Sequence, residues 1–81
     1  MKCDAAWLRN IQATRLMVQR LGPLIAEIPD ISERQIVRHQ YQVLHDRFRA
    51  DVHAGDDPSG ASGELWYLWD LTADLTVETG E

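Results

Sequence analysis

"RFRADVHA", residues 47–54, decides the fold, because this stretch supports two periods at once. In steps of two, Phe48, Ala50, Val52 and Ala54 alternate with Arg47, Arg49, Asp51 and His53, the pattern of a strand with one face buried. In steps of four, Leu44, Phe48 and Val52 share one side of a helix that simply continues from the residues before it. Beyond it, "GDDPSGASG", residues 55–63, is dense in turn-forming residues and reads as an exposed loop. In "LWYLWDL", residues 65–71, Leu65, Tyr67, Trp69 and Leu71 alternate with Trp66, Leu68 and Asp70, and the aromatics suit a pleated surface. The expectation is a hairpin of 47–54 with 64–71. The alternative is an all-helical chain, with one helix over 32–53 and a last one over 64–77.

Upstream, the helical signal is plain. From Asp4, a candidate N-cap, Trp7, Ile11, Val18, Leu21 and Ile25 recur near helical spacing, with Leu8 and Leu16 widening the stripe. Gly22 and Pro23 interrupt it, so residues 23–28 read as a short second helix that Pro29 and Asp30 stop. Ser32 is the expected N-cap of a third helix over 32–45. There Ile36, Val37, Tyr41, Val43 and Leu44 form adjoining apolar stripes, while Arg34, Arg38, Gln42 and His45 take the other side. Residues 73–81 end in acids and Gly and read as an acidic extension of a domain spanning 1–72.

The order helix, short helix, turn, helix, hairpin resembles a winged helix-turn-helix domain, an α+β fold that is mainly α, with three helices and a C-terminal β-hairpin wing. "IAEIPDIS", residues 25–32, resembles the helix-turn-helix core, with Ala26 as the small residue that lets the helices approach and with Ile31 and Ile36 filling the gap. "SERQIVR", residues 32–38, is similar to the start of the recognition helix in WYL-type transcriptional regulators, and "GELWYLW", residues 63–69, to the returning wing strand. The chain departs from that pattern at Pro29, Asp30, His39 and Gln40, and no effector domain follows within it. The resemblance implies a DNA-binding transcriptional regulator acting as a homodimer, with 32–45 in the major groove and the 47–71 hairpin as wing. Ser32, Arg34, Gln35, Arg38 and Gln42 would then meet bases or phosphate, and Arg47 and Arg49 would brace the double-stranded DNA backbone.

Charge argues for a second kind of partner. The net charge is -5, yet residues 1–53 carry all 8 Lys and Arg, and the segment after them carries acids alone. Phosphate affinity rests on local bases, so any DNA contact would be weak and steeply salt-dependent. The alternative is a small acidic helical adaptor or anti-activator that binds protein through its Trp-rich C-terminal segment. Trp66, Tyr67 and Trp69 are its candidate partner-binding residues, being types favoured at binding hot spots.

No other chemistry is signalled. His39, His45 and His53 lack the spacing that puts a chelating pair on one helical turn, so no metal is expected. Cys3 has no second cysteine to pair with. No nucleophile elbow, phosphate loop or paired-carboxylate arrangement occurs, so neither an enzyme nor a cofactor is expected. No apolar run reaches the length of a membrane span or forms a signal peptide, which makes a cytoplasmic protein with no membrane partner the expectation.

Overall fold

The computed structural model describes residues 5–77, and within them the chain is three helices: α1 (Ala5–Ile25), α2 (Ile31–Ala54) and α3 (Ser59–Val77). There is no strand among the described residues, so the winged fold, with its hairpin of 47–54 and 64–71, is overturned. Residues 47–54 are the last two turns of α2 and 64–71 the middle of α3. Packing chose the period of four. Phe48 is buried and Val52 packs against the core, whereas Ala50 and Ala54, which a strand would turn inward with them, are exposed. Two alanines offer too little apolar area to hold a sheet face against a helix that buries Val37, Leu44 and Phe48 in one stripe.

The expected short second helix is absent too. α1 runs through Gly22 and Pro23, because stopping there would leave Ile25 off the core stripe that already holds Ile11, Val18 and Leu21. Pro23 is exposed, and the helix winds down in tight turns, with Glu27 N–H donating to the Leu24 carbonyl at 3.0 Å and Ile28 N–H to that of Ile25 at 3.1 Å. This drives Ile28 into the end of the core. Asp30, not Ser32, caps α2: its carboxylate accepts from Glu33 N–H at 2.9 Å. Ser32 therefore lies inside the first turn. Ile36, expected to plug the gap between helices, is 60% exposed.

Gly55 ends α2 in the left-handed region, φ 77°, donating back to the Asp51 and Val52 carbonyls. The expected loop over 55–63 shrinks accordingly: Asp57 accepts from Ser59 N–H at 3.1 Å, Pro58 needs no donor at a helix start, and its carbonyl accepts from Ser62 N–H at 2.9 Å. α3 then continues through residues expected to be an extension as far as Val77. The proposed cap Asp4, together with Cys3, Glu78 and Glu81, lies outside the described residues.

Successive helices are antiparallel, which makes α1 and α3 parallel. Tyr41 Oη donates to the Val18 carbonyl at 3.4 Å, joining α1 to α2. Between α1 and α3 lies a polar seam: the Thr14 and Ser62 hydroxyls are 2.7 Å apart, both reach the Asn10 side-chain oxygen at 3.4 Å, and Trp66 Nε1 donates to Thr14 Oγ1 at 3.3 Å. The bundle is long and narrow, 47 × 20 × 16 Å.

Candidate interaction surface

Each pair of antiparallel helices leaves a groove on the outside of the bundle, and the two grooves differ in chemistry. The one between α1 and α2, about 810 Å³, is lined by Arg15, Gln19, His45, Asp46, Arg49 and His53 over a floor that includes Val18 and Phe48. His45 packs beside the Tyr41 ring at 5.6 Å. Burial lowers its pKa from the usual histidine value, and the Arg49 charge lowers it further against the opposing pull of Asp46. Burial also raises the Tyr41 hydroxyl. This side is cationic, since α1 carries Arg9, Arg15 and Arg20 and no acid, while α3, on the far side, carries Glu64, Asp70 and Asp74 and no base.

The groove between α2 and α3 is about 440 Å³ and is lined by His39, Gln40, Val43, Leu44, Arg47, Glu64, Tyr67 and Leu68. It runs into a shallower hollow shared by Ser32, Gln35, Ile36, His39 and Gln40. Three large apolar side chains stand open along this face: Ile36 at 60%, Val43 at 46% and Tyr67 at 71% exposure. On α2 they follow helical arithmetic, since Ile36 and Val43 are two turns apart on one stripe with His39 and Gln40 between them.

The seven residues expected to meet DNA are spread over this architecture. Ser32 and Gln35 flank Ile36, and Arg47 lines the groove beside Tyr67. Arg49 belongs to the opposite, cationic groove. Arg38 and Gln42 are exposed on the side of α2 turned away from α3. Arg34 is committed to the turn before its own helix: its Nε donates to the Ile28 carbonyl at 2.9 Å and an Nη to that of Pro29 at 3.5 Å. No single face holds all seven.

The aromatic cluster also divides, because successive helical residues point about 100° apart. Trp66, 39% exposed, is tied to α1 through Thr14, and Trp69 is partly buried against the core. Tyr67 alone reaches the α2–α3 groove. Ile36, Val43, His39 and Gln40 join the surface without being expected as site residues, although the seven-residue spacing of Ile36 and Val43 is visible in the sequence.

No family model, curated protein or solved structure matches this chain. Among the described residues no three His, Cys, Asp or Glu side chains converge to hold a metal, and no helix is long and apolar enough to cross a membrane.

Proposed function

We propose that the chain is a non-catalytic protein-binding module of the cytosol, and that its working surface is the face between α2 and α3. The observation that carries this reading is that Ile36, Val43 and Tyr67, all exposed, line two neighbouring hollows that share His39 and Gln40. A single exposed apolar residue needs no explanation, but a contiguous patch rimmed by polar groups marks an interaction site. Tyr67 supplies the aromatic anchor, Ile36 and Val43 the flanking apolar contacts, and Arg47 and Glu64 a charged rim. The groove suits an amphipathic helix, which would lay its own apolar stripe along that of α2.

A photo-crosslinking amino acid at position 67 of the full chain, expressed in its native cell, tests the reading. Covalent adducts with protein are expected there and not with the same group at the exposed Gln12 on α1. Adducts at neither position, or the same adducts at both, would sink it.

A further inference from the structure

We infer that the groove between α1 and α2 binds a small organic phosphate, its phosphoryl group held between Arg15 of α1 and Arg49 of α2 and its carbon body laid along the groove floor. The site is separate from the α2–α3 face, so it stands or falls independently of the protein-binding reading. At about 810 Å³ the groove is within the size range that takes a small molecule. Its walls supply the two guanidiniums, the Gln19 amide and the His45 imidazole, and its floor includes Val18 and Phe48. A few polar groups gathered over an apolar floor are the ordinary makeup of a ligand site.

The two arginines are available for such a ligand. Both are exposed, and among the described residues neither makes an ion pair or a hydrogen bond, unlike Arg34, whose donors are spent on the Ile28 and Pro29 carbonyls. The acid that ordinarily accompanies a surface arginine is scarce here. α1 contributes none, and the one carboxylate lining the groove, Asp46, is outnumbered by the two fixed positive charges. Burial lowers the His45 pKa and the Arg49 charge lowers it further, so the guanidinium stands close enough to the imidazole to oppose its protonation. Like charge is concentrated in this groove, and an anion seated there relieves it.

The donors select the anion. A carboxylate has two oxygens in one plane and is satisfied by a single guanidinium fork. Forks reaching in from two helices match a phosphate monoester, which offers three terminal oxygens and nearly two negative charges at neutral pH. His45, mostly neutral there, adds a hydrogen bond from whichever ring nitrogen carries the proton. A nucleic acid is a poorer fit, because its successive phosphates need a row of bases. Arg9 and Arg20 do not continue such a row: they project roughly 120–140° around α1 from Arg15 and do not line the groove.

The test is an amide NMR titration of the labelled full chain with phenyl phosphate, in a chloride buffer of fixed ionic strength, with inorganic phosphate and benzoate as comparison ions. Saturable shifts gathered on Arg15, Gln19, His45 and Arg49 are expected, with phenyl phosphate bound more tightly than either comparison ion. Arg15→Gln and Arg49→Gln should each weaken binding at least about tenfold, the cost of losing a charge-assisted pair. Arg9→Gln with Arg20→Gln removes twice that charge from elsewhere on α1 and should change affinity less than about threefold, since solvent and salt screen exposed charges. All four positions are exposed, and an amide spectrum unchanged outside the groove shows that the variants fold. The His45 ring, which shares the groove with Arg15, Gln19, Asp46, Arg49 and His53, should titrate at higher pH with phosphate bound, because a nearby anion favours its charged form.

An absence of saturation, shifts centred elsewhere, an equal loss in the Arg9–Arg20 variant, an unmoved His45 titration, or either comparison ion binding as tightly as phenyl phosphate would each overturn the inference. A random-sequence duplex that binds more tightly, with shifts running out to Arg9 and Arg20, would overturn it in favour of a nucleic-acid surface.

Discussion

Thr14 is the residue on which the packing of α1 against α3 turns. It is fully buried, and its hydroxyl meets Ser62 and receives the Trp66 indole N–H. Replacing one member of such a group leaves the others without partners, which costs more than the net worth of the bond. Thr14→Val should therefore destabilise by about 1–3 kcal/mol in urea melts. Thr14→Val with Ser62→Ala should cost less than the sum of the two single changes, because the second change removes a hydroxyl the first has orphaned. His45 makes a pH prediction of definite sign. Its pKa is lower folded than unfolded, so the unfolded chain binds the proton better. The stability it contributes is complete above the unfolded value near 6.5 and is lost as pH falls from there through the folded value. The melting temperature should fall on acidification through that window, and His45→Gln should flatten the slope.

The helix ends carry the predictions at the scale of the element. Gly55 sits at φ 77° with open space around its α-carbon, so a methyl group there meets strain in the backbone and no clash. Gly55→Ala should cost about 1–2 kcal/mol, and Gly55→Asn less, since Asn tolerates the left-handed region. Asp30→Ala removes the cap of α2 and should cost about 1 kcal/mol. Both are measured by thermal or urea unfolding. The same ends show how much of the fold is legible in the sequence. The stripe from Ile11 to Leu21 marks α1 as far as Gly22, and the alternative of a helix over 32–53 and another over 64–77 matches α2 closely and α3 from its second turn onward. The hairpin misleads because alternation over Phe48, Ala50, Val52 and Ala54 gives an alanine the weight of a core residue. Gly22–Pro23 reads as a stop, yet burying Ile25 and Ile28 outweighs one proline in the last turn. Of the exposed residues on the α2–α3 face, the sequence singles out Tyr67, though only together with Trp66 and Trp69. It does not single out Ile36 and Val43, because α2 carries apolar residues on two stripes and only the third helix's position shows which of them is covered.

At the scale of the molecule, a single core is shared by all three helices. α3 contributes Ala61, Leu65 and Leu68, α2 contributes Val37, Leu44 and Phe48, and α1 the remainder together with the turn residue Ile28. No pair of helices closes that core alone. A fragment of residues 1–57, lacking α3, should lose most of its helical circular dichroism and melt without a cooperative transition, because isolated helices of this length are marginal in water. A retained sigmoidal melt would show that α1 and α2 fold as a hairpin by themselves. Three helices with two reversals also place Ala5 and Val77 at opposite ends of the long axis. Tension applied through those two ends would therefore pull α1 and α3 past each other lengthwise, straining the Thr14–Ser62 seam and the apolar layers together. It would not peel one helix away turn by turn, and the bundle is built to resist stretching as a shear joint resists load.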